Sequence, residues 1–355
     1  MMFKINHKFY SRDFFLKKNQ IDLFEKENEY GKELFLFLSE WFSEKNEIEI
    51  TTSGSTGKPK LFKVEKWKLE ASANRTLVHF NLKKGSSFLL CLPLNFIAGK
   101  LMVVRALINE GNIITKSPSS KPLNFNTEII DFGALTPMQL SNSIKNFGIE
   151  NITIINKLLI GGARVSEDLI QNLHGYKGEV FETFGMTETL THFALKKCFP
   201  TKEKSFKVLP EINIETSENK LIVKSKSFLQ ENIFTTDIIE ILSPNEFIWL
   251  GRADFTINTG GLKVQPEAIE EKLNKGLNFA FFISKKPDEL LGEKVIICVK
   301  EGNKNLIKKE LFQNLNKFEK PKSIIELKEF PFSNSGKILR KELEKTVLNL
   351  LEWPI

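Results

Sequence analysis

Hydrophobic and polar positions along the chain alternate with two periods, and the switches between them mark out elements. Residues 29–44, EYGKELFLFLSEWFSE, set Leu34, Phe35, Leu38, Trp41 and Phe42 at helical spacing, which predicts a packing helix. In NEIEI, Ile48 and Ile50 alternate with Glu47 and Glu49, the period of a half-buried strand over 47–52. VEKWKLEASANRTLVHF then reads as an amphipathic helix. The short apolar runs SFLLCLPL, NIITK and EIIDFGAL alternate with helical stretches such as AGKLMVVRALIN. TIINKLLIGGARV and GEVFETFGMTET each run a strand into a Gly- or Thr-containing turn. Strands alternating with helices predict an α/β sheet whose ligands sit at the strand carboxyl ends.

After about residue 206 the texture changes. INIETSENKLIVKSKSF and DIIEILSPNEFIWLGR read as short antiparallel strands with polar turns. Beyond 252 a small α+β unit is expected, with EAIEEKLNK and NLIKKELFQNL as helices and FAFFIS and EKVIICVKE as strands. The boundary falls near 251–254, giving domains 1–252 and 253–355. No internal repeat is visible, and KSPSSKP (116–122) reads as a loop.

Composition narrows the class. A length of 355 residues suits about two domains at roughly 150 residues each. With 41% hydrophobic and 27% charged residues the chain has a real core. No apolar run approaches the ~20 residues of a membrane helix, and the start, MMFKINHKFYSRDFF, lacks a secretory signal pattern. Cys91, Cys198 and Cys298 are widely spaced and odd in number; they read as reduced, buried thiols of a cytoplasmic protein. The net charge of +7 is spread along the chain, and the 31 phenylalanines sit in core-like contexts, so no basic, aromatic stripe for nucleic acid is present.

One loop carries candidate chemistry. TTSGSTGKPK (51–60) is not a Walker loop: Gly54 and Gly57 enclose only two residues, and Pro59 follows Lys58 where Ser or Thr is needed. Ser53, Ser55 and Thr56 still offer hydroxyls, the glycines allow close backbone approach, and Lys58 and Lys60 supply charge. As an isolated string it reads equally as a linker or a phosphate loop; a preceding strand and a following helix favour phosphate. Four further motifs follow. ETFGMTET (182–189) clusters an aromatic, a glycine, a threonine and an acid, and FTTDII presents Asp237. GRADFTINTGGLKV (251–264) joins a base, an acid and a double glycine, and SNSGKILRKEL sets Lys337 in a Ser/Gly loop.

In this order the motifs resemble those of the acyl-adenylate-forming superfamily: acyl-CoA synthetases, peptide-synthetase adenylation domains and luciferases. The resemblance runs from about 47 to 345. It implies a large N-terminal α/β domain with mixed sheets plus a small mobile C-terminal α+β domain, shortened before the phosphate loop. That shortening leaves the family's N-terminal sheet and its packing role in question. The resemblance also implies roles. Thr52, Ser53, Gly54, Ser55, Thr56, Gly57, Lys58 and Lys60 would hold the ATP phosphates. Gly161, Gly162 and Ala163 would border the adenine and acyl pockets. Phe184 and Gly185 would lie at the adenine, Thr187 near the α-phosphate, and Glu188 would ligate Mg2+. Asp237 and Arg252 would bind the ribose. Lys337 would reach the carboxylate and α-phosphate, and the small domain would swing about Asp254 to present Gly260 and Gly261 for attack by CoA. Singly, Glu188 is equally a helix-start acid, Asp237 a turn former, Lys337 a solvated lysine and the glycine pair a turn.

CLPLNFIAGKLMVVRALINEG with GMTETLTHFALKK is similar to the compact o-succinylbenzoate–CoA ligases of menaquinone biosynthesis, which implies 2-succinylbenzoate as the carboxylate. Lys100, Arg105, Arg164, Thr191 and His192 flank the expected acyl pocket and are candidates for the carboxylate that does not react; His192 reads equally as structural, and Arg105 as a helix cap. Another departure is TTD, where the family usually has glycine before the acid. The expected partners are a small carboxylate, ATP and CoA, with no nucleic acid or membrane insertion and room for a homo-oligomer. The competing readings are another aromatic or fatty acid–CoA ligase and a non-catalytic nucleotide-binding regulator.

Overall fold

The computed structural model describes residues 2–51, 61–123, 129–150, 152, 154–225, 229, 231–274, 276–277, 279–332 and 338–355. Residues 52–60 of the expected phosphate loop, and Lys337, lie outside the described residues. Two compact units are present: Met1–Val165 with Leu169–Asn213 and Lys224–Ile233, and Ser166–Asp168 with Ile214–Val223 and Phe234–Ile355.

The chain opens with strands β1 (Met2–Ile5) and β2 (Lys8–Ser11) and helices α1 (Arg12–Phe15), α2 (Ile21–Glu27) and α3 (Gly31–Phe42). A hairpin of β3 (Glu47–Thr51) and β4 (Leu61–Glu65) leads into α4 (Lys66–His79). There follow β5 (Ser87–Leu90), α5 (Ile97–Ile108), β6 (Asn112–Thr115), β7 (Ile130–Leu135), α6 (Pro137–Phe147) and β8 (Ile155–Ile160). Then come α7 (Glu167–Gln171), β9 (Glu179–Met186), β10 (Thr191–Phe199) and β11 (Phe206–Val208).

In the first unit these strands form a mixed sheet in the order β11-β10-β9-β8-β7-β5-β6-β1-β2. The run from β9 to β1 is parallel, and β1–β2, β9–β10 and β10–β11 are antiparallel. Parallel strands need cover on both faces, so they read as continuous apolar runs rather than alternations. Phe88, Leu89 and Leu90 of β5 are accordingly all buried, and α5 is buried almost all the way round. The helix expected over 29–44 is α3, with Leu34, Phe35, Leu38, Trp41 and Phe42 buried.

Two expectations change here. Residues 61–65 form a strand, so the helix expected from Val64 starts later: Val64 pairs with Ile48 and Leu61 with Thr51, 52–60 joins two antiparallel strands, and α4 begins at Lys66. The N-terminal segment also holds a hairpin that periodicity did not reveal. Asn6 and His7 take positive φ (47° and 68°) at its turn, and Phe3 and Ile5 are buried. Phe3, Phe15, Phe24, Phe35 and Phe42 pack ring on ring beneath it, with centroids 5.3 to 6.3 Å apart. Burying each such ring contributes roughly 1.5–3 kcal/mol.

In the second unit, β12 (Asn213–Ser217), β13 (Lys220–Lys224), β14 (Ile233–Ser243) and β15 (Glu246–Arg252) are successive neighbours. The rest comprises β16 (Ile257–Thr259), β17 (Leu262–Val264), α8 (Pro266–Leu273), β18 (Phe281–Asp288), β19 (Gly292–Lys300), β20 (Ser323–Leu327), α9 (Arg340–Leu348) and β21 (Trp353–Pro354). The sheet order is β17-β16-β19-β20-β21, with β18 also on β19. Alternation along β19 separates two cores: Val295, Ile297 and Val299 pack with Ile269 and Leu273 of α8, while Ile296 and Cys298 pack with Leu343 and Val347 of α9.

The helix expected at NLIKKELFQNL is instead two 3-10 turns, Lys304–Leu306 and Lys309–Phe312, with Ile307 and Lys308 extended between them. Ile307, Phe312 and Leu315 are buried, and the Glu326 carboxylate accepts the Gly302 and Lys304 amides ahead of them. All three cysteines are free and buried, as expected, and burial pushes the Cys91 and Cys198 thiols up to about 12. No helix among the described residues is long and apolar enough to cross a membrane.

Candidate active site

The carboxyl ends of parallel strands leave backbone groups without ladder partners, and in the first unit the motif residues collect there. β8 ends at Ile160, and the Gly161 amide that follows donates to Leu135 O (3.0 Å) at the end of β7. Thr136 next to it caps α6 in a reciprocal box with Gln139 (3.2 and 3.0 Å). The loop carrying Gly161, Gly162 and Ala163 is anchored from β9. Thr183 Oγ1 donates to Ile160 O (3.2 Å), and the Val165 amide donates to Glu182 Oε1 (3.3 Å). Glu182 is buried and paired with Lys196 on β10 at 2.7 Å.

The FGMTE signature spans the end of β9 and the first half of the turn to β10. Phe184 is half-buried, its ring edge-on to Phe193 (5.6 Å) and against Phe206 (5.3 Å). Gly185 is required by close approach, because a Cβ there would meet Thr191 O at 2.1 Å. Thr189 Oγ1 accepts the Met186 amide (3.0 Å) and donates to Thr191 O (2.7 Å), closing the turn. Thr187 is partly buried and Glu188 is exposed. Leu190 and Thr191 both take positive φ, 55° and 89°, which is strained for branched side chains. Ser72 Oγ donates to Leu190 O at 2.7 Å at this turn.

Of the five residues expected near the acyl pocket, three are brought together. Arg105 of α5 donates from Nη2 to Thr191 Oγ1 (3.3 Å) and lies over the Phe132 ring at 5.8 Å. It is 2% exposed, and among the described residues no carboxylate pairs with it. Burial without a counter-charge lowers its pKa to about 9. His192 shares a hydrogen bond of 3.4 Å with Thr76 Oγ1. Burial holds His192 well below the ordinary imidazole value, reinforced by the charges of Arg105 and Arg75. Lys100 stands elsewhere, against Phe37 (5.1 Å) and Glu40 (4.0 Å) of α3, and burial lowers its pKa. Arg164 is partly buried beside Val165.

In the second unit, Asp237 and Arg252 face each other in register across β14 and β15. Asp237 is buried, and its Oδ1 accepts the Trp249 indole N–H at 2.9 Å. Arg252 Nη2 donates to Thr236 Oγ1 (2.6 Å) and Asp254 Oδ2 (2.9 Å). Gly260 and Gly261 fill the two turn positions of the β16–β17 hairpin, with φ of 56° and 80°. Arg340, three positions beyond Lys337, is gripped by Glu270 (2.7 Å) and Glu267 (3.0 Å) of α8. Glu182, Thr189 and Trp249 escaped sequence reasoning, since their partners are set by strand register.

The sequence of this chain matches the profile described as AMP-binding enzyme over residues 48–217. It is 30% identical to an acyl-CoA synthetase (AMP-forming)/AMP-acid ligase II-like protein of Dyadobacter fermentans, whose structure it matches with a TM-score of 0.61 over 90% of this chain and 94% of that one. The chain belongs to the AMP-binding enzyme family. Among AMP-binding enzymes, its relatives are acid–CoA ligases. A 2-succinylbenzoate–CoA ligase of Lactococcus lactis is 27% identical over 326 residues, 85% of this chain and 71% of that protein. Escherichia coli MenE with bound OSB-AMS has the same fold, with a TM-score of 0.67 at 20% identity over 84% of this chain and 68% of that one.

Proposed function

We propose that this AMP-binding enzyme is a 2-succinylbenzoate–CoA ligase of menaquinone biosynthesis, working in the cytoplasm. A carboxylate attacks the α-phosphate of ATP to give acyl-AMP and pyrophosphate. The CoA thiol then attacks the acyl carbon, the C–S bond forms, and AMP leaves with the acyl–oxygen electron pair. The observation that carries the substrate is Arg105: a buried guanidinium with a hydroxyl and an aromatic ring around it, and no carboxylate among the described residues. Such a group suits an anion brought by the ligand, and a dicarboxylate has one carboxylate to spare once the other reacts. Relatives named 2-succinylbenzoate–CoA ligase, at 25–27% identity, support the same choice.

The remaining residues take the roles that the family resemblance implies. Residues 52–60 hold the phosphates, Phe184 and the 161–163 loop border the adenine, and Asp237 and Arg252 take the ribose. The small domain turns at Asp254, beyond a boundary at 252/253, and brings Gly260 and Gly261 toward CoA. Glu188 suits Mg2+: one exposed carboxylate is enough when substrate phosphates complete the shell. The ion neutralises phosphate charge when bound. Lys337 stabilises the charge that builds on the carboxylate and α-phosphate oxygens.

A carboxylate panel with ATP and CoA tests the substrate. Thioester from 2-succinylbenzoate is expected to exceed that from benzoate and fatty acids by at least about a hundredfold; the reverse order assigns another acid–CoA ligase. Lys337→Ala tests the mechanism. Pyrophosphate exchange is expected to fall by roughly 10²–10³, while thioester formation from supplied acyl-adenylate largely survives. Equal loss of both would contradict the division of labour, retention of both would show that Lys337 takes no part in the chemistry, and absence of both in the parent would favour a regulator.

A further inference from the structure

In a regular antiparallel ladder, residues directly opposite each other point to the same face, and that face alternates along the strand. From the pair Asp237–Arg252, a regular register would set Ile238 opposite Gly251 and Ile239 opposite Leu250. The ladder departs from this. Ile238 does face Gly251, but Ile239 faces Trp249, so Leu250 is the extra residue of a β-bulge. Gly251 takes φ of 145° at the bulge, where a Cβ would meet Glu267 Oε2 at 2.5 Å. The one-residue slip reverses the face of everything before it on β15. Without it the indole of Trp249 would point away from Asp237; with it, indole and carboxylate share a face and Nε1 donates to Oδ1 at 2.9 Å.

We propose that Trp249 is a positioning residue for nucleotide binding: its N–H fixes the Asp237 carboxylate in the rotamer that receives the ribose hydroxyls. The proposal rests on the reading of Asp237 as the ribose ligand. A buried carboxylate that must take a vicinal diol gains from being held before the nucleotide arrives, since its rotamer freedom is then not lost on binding. A charge-assisted bond from an indole does this without adding a second positive charge beside Arg252. Thr235 helps from the other side, its Oγ1 accepting the Asp237 amide at 3.1 Å and donating to Leu221 O at 2.9 Å.

The test compares ATP with 2′,3′-dideoxyATP, which lacks the hydroxyls Asp237 would hold. In Trp249→Phe the ring is kept and the donor lost. KM for ATP is expected to rise about tenfold with kcat little changed, while KM for dideoxyATP stays as in the parent. An equal rise for both nucleotides, or no rise for ATP, overturns the proposal. Asp237→Ala separates the two readings. It should abolish discrimination between the nucleotides, and discrimination that survives would refute the ribose assignment itself. Should Trp249→Phe fail to fold, the intact protein labelled with 5-fluorotryptophan gives the answer. AMP should shift the ¹⁹F resonance of position 249 and 2′,3′-dideoxyAMP should not; identical responses to both overturn the proposal.

Discussion

Arg105 of the first unit and Arg340 of the second are both buried, and their surroundings are opposite. Arg340 is 9% exposed and complete: Nε meets Glu267 at 3.0 Å, Nη2 meets Glu270 at 2.7 Å, and Nη1 donates to Ile283 O at 3.2 Å. The two glutamates hold its pKa above the ordinary arginine value despite burial. Arg105 is 2% exposed, with a threonine hydroxyl and a phenylalanine ring as its contacts, and its pKa falls to about 9. A buried charge without a partner is costly and persists where something else requires it. Arg340 therefore belongs to the architecture that carries α9, whereas the proposed function gives Arg105 to the ligand.

The largest effect should come from Arg340. Arg340→Met takes the guanidinium away from two buried carboxylates and is expected to cost about 3–5 kcal/mol, read as a lower urea midpoint of the second unit. Adding Glu267→Gln and Glu270→Gln should restore part of the loss. A midpoint within 1 kcal/mol of the parent for Arg340→Met (on the order of ordinary surface changes) would break the contrast.

Arg105→Met should behave oppositely in the ligand-free protein. Removing an unpaired buried charge is expected to leave stability within about 1 kcal/mol or raise it. A loss of 3 kcal/mol or more, on the order of a broken buried pair, would mean that Arg105 is structural after all.

The smallest effect is electrostatic coupling to His192. Its folded pKa lies well below 6.5, so below pH 6.5 the unfolded chain binds a proton that the folded one refuses. Stability should therefore fall as pH drops through 6.5, by up to about 1.4 kcal/mol per pH unit for this group. His192→Asn should flatten that slope, and Arg105→Met should make it level off at a higher pH, because with one repelling charge gone the folded pKa rises toward the unfolded one. A slope unchanged in both variants would uncouple the pair.

The sequence carried the parallel core and the motif order well, because both are local. Ile48 and Ile50 alternate as a strand must, Leu34 to Phe42 form one helical face, and FGMTE is a contiguous string. What was not legible depends on partners distant in the chain. Leu61 to Glu65 became a strand because β3 lies beside it, and the hairpin at Asn6 and His7 formed where β6 offers an edge. The helix expected at 305–315 gave way to two 3-10 turns, with Glu326 holding the Gly302 and Lys304 amides ahead of it. Arg105, Thr191 and His192 were named from their nearness to motifs; their meeting depends on α5 packing under β10. Trp249 had no signal at all, since a single extra residue in β15 decides which way it points.

The central claim is that Arg105 takes the carboxylate that does not react. The most direct measurement is the kcat/KM ratio of 2-succinylbenzoate to its monocarboxylate analogue lacking the ring carboxyl, in the parent and in Arg105→Met. The account predicts a ratio of at least about 10² in the parent, collapsing toward unity in the variant through loss of the dicarboxylate alone. A ratio that survives the substitution, or falls because both substrates lose equally, would contradict it.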